Sequence, residues 1–238
     1  MAEKKKEIIW VTGAGSGIGR ETALAFVNAG YEVAVTSRNT EMLEKLKEGL
    51  GDKKSLVKIF KCDISNHEEV TAVYAKMAKD YFVSCLINNA GVTSFKPAGE
   101  DSVEEIQRII NTNLLGAIYG IKTVLPAMVS AGRGAIINTV SVVAKKIFLN
   151  SSAYSASKSG LLAYTDVLRE ELRNNNIKII NILPGATKTP IWPNRALEKF
   201  SERMMTPGDV ANVILKLYAL DGTAVPEEIT LRPLKGDL

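Results

Sequence analysis

The chain has 238 residues, 46% hydrophobic and 24% charged, which is enough apolar material for a full core and too much for a disordered chain. Its net charge of +4 is dispersed among acidic residues, and apart from Lys4-Lys5-Lys6 no basic run points to nucleic acid. No apolar stretch approaches the roughly 18 residues of a membrane span, and the charged start is unlike a signal peptide, so no membrane is expected.

In chain order, the first predicted strand, 7–12, runs into Gly13-Ala14-Gly15-Ser16-Gly17-Ile18-Gly19 and a helix over 17–29. Strand, glycine-rich turn and helix start are the context of a dinucleotide-binding turn. Glycines allow close approach to a pyrophosphate, and the first helical N–H groups face the anion. A plain βα turn would read the same way if it stood alone. Strand 31–36 leads through Ser37-Arg38-Asn39 to a helix over 40–49, and strand 56–61 leads through Cys62-Asp63-Ile64 to a helix over 66–80. His67, the only histidine, falls in that helix's first turn. A Ser-His-Asp hydrolase or a zinc site would need it elsewhere. Cys62 and Cys85 stand alone in apolar segments and read as buried thiols in a reducing compartment, so a cytoplasmic protein is expected.

Strand 83–88 ends in Asn88-Asn89-Ala90-Gly91, small and amide residues that let a ligand come close. An interrupted helix over 102–130 and a strand over 134–140 follow, then Ser141, a hydroxyl able to donate to a carbonyl oxygen as charge develops on it. The helix over 154–174 opens with Tyr154-Ser155-Ala156-Ser157-Lys158. Four positions apart, the phenol and the ammonium share a helix face, and a fixed positive charge is expected to lower the phenol's pKa from its usual value of about 10. Strand 177–183 ends in Pro184-Gly185-Ala186-Thr187-Lys188-Thr189-Pro190, and a helix over 207–219 and a strand over 227–232 complete the chain. Strand–helix alternation without a period of two predicts an α/β protein: a parallel seven-stranded sheet with helices on both faces, in a single domain over 1–238. Each motif follows a strand, so all can meet at the sheet's carboxyl edge.

Taken together, Thr12-Gly13-x-x-x-Gly17-x-Gly19, Asn88-Asn89-Ala90-Gly91, Ser141, Tyr154-x-x-x-Lys158 and Pro184-Gly185 resemble the short-chain dehydrogenase/reductase family in order and spacing, over roughly residues 6–233. The resemblance implies a doubly wound Rossmann fold. It also implies hydride transfer between a nicotinamide cofactor and a small-molecule carbonyl or alcohol, without metal. It makes Tyr154 the general acid/base and has Lys158 lower the phenol pKa and bind the nicotinamide ribose. Ser141 holds the substrate carbonyl, and Asn113 positions a water that relays protons to Lys158. Gly13, Gly15, Ser16, Gly17, Ile18 and Gly19 surround the pyrophosphate. Asp63, with Ile64 beside it, accepts from the adenine, and Asn89, Ala90 and Gly91 border the adenosine. Pro184, Gly185, Thr187 and Thr189 flank the nicotinamide. A homo-oligomer, dimer or tetramer, paired through the two long helices is also implied.

Where an acidic residue would bind the ribose 2′-hydroxyl, the second strand ends in Ser37 followed by Arg38. A guanidinium can clamp a phosphate, so NADP(H) is expected over NAD(H). Residues 190–206 are expected to form a substrate lid, with Ile191, Trp192, Phe200, Met204 and Met205 as an apolar wall and Arg195 and Arg203 placed to meet an anion. Lys145, Lys146 and Phe148 line the other side, unless these charges face solvent. Two rivals remain: a non-catalytic NADP(H)-binding sensor and an epimerase or dehydratase relative. Against the first, all four catalytic positions are present. Against the second, little chain follows Pro184 for a substrate domain.

Overall fold

In a computed structural model, described for residues 5–238, the sequence forms one seven-stranded sheet. Of the lysine triplet, Lys4 lies outside the described residues. The strands are β1 (Lys6–Thr12), β2 (Val33–Ser37), β3 (Val57–Lys61), β4 (Tyr81–Asn88), β5 (Gly134–Thr139), β6 (Ile177–Pro184) and β7 (Glu228–Leu231). All neighbours are parallel, in the order β3-β2-β1-β4-β5-β6-β7. The order reverses between β1 and β4, which opens a crevice at their carboxyl ends.

The strands read as continuous apolar runs because both faces are covered. On one face Phe26 and Val27 of α1 (Gly17–Asn28), Leu43 and Leu46 of α2 (Thr40–Glu48), and Val210 and Ile214 of α8 (Pro207–Tyr218) pack on Val33 and Val35. On the other, α3 (His67–Met77), α5 (Gly116–Ala131) and α6 (Ser152–Glu171) bring Met77, Ile121, Met128 and Leu168 against Trp10, Leu86 and Ile136. The doubly wound fold predicted from the alternation is the one observed.

The interruption predicted within 102–130 is real. Helix α4 (Val103–Ile110) passes into α5 through a π-helical segment, Asn111–Leu115. One expectation needs correcting. By length and composition, Val103–Ala131 taken as one helix is long and apolar enough to cross a membrane. Its apolar character is broken in the sequence by polar residues, among them Asn111-Thr112-Asn113, so no continuous apolar run marks it. Ile121, Val124 and Met128 of this helix pack into the core, yet only 33% of its most apolar window is buried. The chain also forms a short helix not read from the sequence, α7 (Asn194–Phe200), within the predicted lid. It buries no residue, so no apolar periodicity announced it.

One polar feature crosses the core. Asn88, Asn138 and Asn181 lie in register on β4, β5 and β6. Asn88 Nδ2 donates to Asn138 Oδ1 at 3.0 Å, Asn138 Nδ2 to Asn181 Oδ1 at 3.1 Å, and Asn181 Nδ2 to Thr165 Oγ1 of α6 at 2.9 Å.

Candidate active site

A cleft of about 670 Å³ runs along the carboxyl ends of the strands. Every predicted cofactor-site residue except Gly19 lines it. Gly19 stands behind the turn, where a Cβ would come within 2.3 Å of Asn89 Nδ2 and 2.5 Å of the Gly13 oxygen. Gly13 has φ +66°, and a Cβ there would meet the Ala90 backbone at 2.7 Å. These two glycines let the turn after β1 press against the turn after β4. Asn89 ties the turns together, its Nδ2 donating to the oxygens of Thr12 and Gly13 at 3.1 and 3.2 Å.

The start of α1 differs from its neighbours. Helices α2, α3, α4 and α8 are each capped by a side chain: Asn39, Asn66, Ser102 and Thr206. Ser16, the cap residue of α1, accepts no such bond, and the first turn has no acidic residue. Helical N–H groups without an internal acceptor therefore face the cleft, where they fit a phosphate. Nearby, a Cβ on Gly15 would sit 3.2 Å from Ser37 Oγ, and Arg38 is exposed with no carboxylate partner among the described residues. The turn, the hydroxyl and the free guanidinium fit a nucleotide carrying an additional phosphate. Asp63 uses Oδ1 to accept from Ser65 N and Oγ, at 3.0 and 2.7 Å. Only its second oxygen remains for a ligand.

Ser141, Tyr154 and Lys158 share the cleft's other half. Lys158 is 3% exposed and donates from Nζ to the Thr139 oxygen at 2.7 Å, with Nζ 5.8 Å from the Tyr154 ring centroid. The expected lowering of the phenol pKa is not found in this geometry. Burial pushes Tyr154 up to about 12, opposed by a hydrogen bond with Ser141. Burial also draws Lys158 down to about 8. Desolvation penalises both charged forms, and the ammonium is engaged by a carbonyl instead of the phenolate. The phenol thus stays protonated, the form a proton donor requires.

Asn113 does not line the cleft. It is 1% exposed in the π-helical segment, where Nδ2 donates to the Val92 oxygen at 2.8 Å and to Ser157 Oγ at 3.0 Å, while Oδ1 accepts from Val92 N at 2.8 Å. Its side chain is committed to protein groups, so it clamps the loop after β4 to α6 instead of presenting an amide to water.

At the substrate end, Ile191, Trp192 and Phe148 line the cleft, whereas Phe200, Met204, Met205, Arg195, Arg203, Lys145 and Lys146 do not. Lys145 pairs with Glu228 and Lys146 with Asp237, at 2.6 and 3.0 Å. Sequence reading missed Phe95, which stacks on Trp192 with centroids 5.1 Å apart and planes 20° apart, and also Asp237. No local pattern marks either residue. His67 is exposed at the start of α3, and no metal-binding cluster occurs among the described residues. Cys62 and Cys85 are free, buried thiols.

Sheet order, glycine turn and cleft define a dinucleotide-binding α/β protein. Residues 7–199 match the short chain dehydrogenase family, and the chain belongs to it. It is 32% identical to a sepiapterin reductase from Chlorobaculum tepidum over 98% of both chains. Among solved structures it is similar to the closed form of serine dehydrogenase complexed with NADP+, with TM-score 0.90, 27% identity and coverage of 97% and 96% of the two chains. An alcohol dehydrogenase from Thermococcus sibiricus complexed with 5-hydroxy-NADP gives TM-score 0.86 at 27% identity, covering 97% of each chain.

Proposed function

We propose that this protein is an NADP(H)-dependent oxidoreductase acting on a small-molecule carbonyl or alcohol. The observation that carries the reading is the convergence of Ser141, Tyr154 and Lys158 in one half of a cleft whose other half ends in the unpaired Arg38. Relatives bound to NADP+ and 5-hydroxy-NADP support the cofactor.

Arg38 and Ser37 hold the 2′-phosphate, and the uncapped start of α1, with Gly13 to Ile18, holds the pyrophosphate. A nicotinamide bound there would supply or accept the hydride. Ser141 holds the substrate oxygen beside Tyr154, whose protonated phenol gives up its proton as charge develops on that oxygen. Lys158 holds the ribose and steadies the phenolate left behind, and Asn113 keeps Lys158's helix against the loop after β4. Residues 190–206 act as a lid over a single catalytic domain spanning the chain.

A homo-oligomer, dimer or tetramer, would pair the helices over 103–131 and 152–171, a reading supported by the partial burial of the first. Its two free thiols support a cytoplasmic location. The direct test is loss of NADPH absorbance with a panel of ketones, aldehydes and quinones. NADPH binding without turnover of any compound, in either direction, would favour the sensor reading.

A further inference from the structure

Near the substrate end of the cleft stands a carboxylate side chain, Asp237. Asp237 lines the wall, and cations reach it from three separate parts of the fold. Arg232, just after β7, donates from Nε to Oδ1 at 3.0 Å and from Nη2 to Oδ2 at 2.6 Å. Lys146, in the loop after β5, donates from Nζ to Oδ2 at 3.0 Å. Arg203, at the end of the lid, donates to the Asp237 backbone oxygen at 2.8 Å. The two side-chain partners hold the Asp237 carboxyl below its usual range. Apolar and aromatic side chains, among them Phe95, Trp192, Phe148 and Ile191, line the cleft together with the polar Thr93 and with Arg108, whose guanidinium is paired with Glu105.

We infer that Asp237 is the residue that sets substrate charge: it occupies, as an internal counter-ion, the place where a substrate carboxylate would sit, and so selects neutral carbonyl compounds with a flat apolar group. Lys146 and Arg232 do not line the cleft themselves, but both hold the side chain of Asp237, which does, and two cations on one carboxylate are an arrangement that receives an anion. In this chain the anion is built in. A carboxylate-bearing substrate must displace Asp237 from both partners or lie beside it uncompensated, and either costs affinity. The stacked Phe95–Trp192 pair offers a planar group a face at the same end.

This inference rests on the oxidoreductase reading, and the test separates the two. NADPH-dependent kcat/KM is measured for 4-nitrobenzaldehyde and for 4-carboxybenzaldehyde. Wild type should favour the neutral aldehyde. Asp237→Asn keeps the shape and frees the cations, so it should shift the ratio toward the carboxylate by about tenfold, the lower end of what one charged hydrogen-bonding partner contributes. Arg232→Gln added to Asp237→Asn should remove most of that gain. A ratio within about twofold of wild type in Asp237→Asn, measured against that range, would overturn the proposal. The same contrast is readable without turnover, from titration of NADPH-bound enzyme with benzoate and benzamide. If wild type reduces neither aldehyde, this titration still decides the role of Asp237. The oxidoreductase reading stands or falls separately, on the wider panel.

Discussion

The two halves of the cleft are built by different means. The cofactor half is made of backbone: strand ends, a glycine turn and an uncapped helix start, packed so closely that a methyl group on Gly13 or Gly19 has no room. Beyond Tyr154 and Lys158, which stand on α6, the substrate half is made of side chains carried on loops, joined by contacts between segments far apart in sequence. Phe95 stacks on Trp192, and Asp237 gathers Lys146, Arg203 and Arg232. The first half is fixed by the geometry of the fold. The second can be rewritten one side chain at a time, as a family with one cofactor site and many substrates requires.

Mutations that respect this division should separate cleanly. The largest effect belongs to Tyr154→Phe, which keeps ring and packing but removes the proton. It should lower kcat by about 10²–10⁴-fold with NADPH affinity nearly unchanged. A steady-state rate within about threefold of wild type, against that range, would take the phenol out of the chemistry. Next, Arg38→Ala should weaken NADPH by about 10- to 150-fold, nearer the lower figure because the site is exposed, and leave NADH almost untouched. Titrating both cofactors at two ionic strengths checks this; equal losses would reduce Arg38 to a wall of the adenosine pocket.

The third effect is on pH dependence. Lys158 titrates at about 8, below its ordinary 10.5. If its charge is needed, kcat/KM for reduction should fall about tenfold per unit above that value. Tyr154, at about 12, stays neutral throughout and adds no second limb. Stability should move the other way. Between about 8 and 9 the unfolded lysine binds more protons than the buried one, so the folded state gains as pH rises; above about 9 the thiols of Cys62 and Cys85, raised by burial, lose protons in the unfolded chain first and oppose that gain. Activity lost together with structure in that window would point to unfolding instead of titration. The smallest effect is expected of Phe95→Leu, which removes the stack on Trp192 and leaves the Trp192 Nε1 bond to the Thr187 oxygen in place. A few-fold rise in KM for aromatic carbonyls, with NADPH affinity unchanged, matches the loss of an aromatic pair worth about 0.5–1.5 kcal/mol. A change in NADPH affinity would show that the two halves are not independent.

The same division explains what was legible in the sequence. The seven strands and the long helices are apolar runs punctuated by glycine and cap residues, and they fall within about two to four residues of the observed bounds, as local patterns allow. The glycine turn, Asn89, Ser141 and Tyr154–Lys158 lie at fixed distances from those strand ends, so their meeting could be read in advance. Asp237 and Lys146 are 91 positions apart, and Phe95 and Trp192 also come from distant loops, so no local period links either pair. Asn113 was picked out by its motif. Its commitment to Val92 and Ser157 could be seen only once α4, α5 and α6 had packed.

Asn88, Asn138 and Asn181 bear on how the chain finds its alignment. Strands buried on both faces carry little alternation, so apolar packing alone does little to forbid one strand sliding along another by a residue. The asparagines forbid it. A slip of β6 by one position would set Ile180 or Ile182 against Asn138 and leave buried amides unmatched, each costing about 1–3 kcal/mol. Asn88, Thr139 and Pro184 sit at the ends of these same three strands, so an alignment error there would misplace the Lys158 acceptor and both flanking turns together. The three amides therefore act as a proofreading device in folding, because the alignment that bonds Asn138 to both its neighbours is the one that assembles the reactive groups.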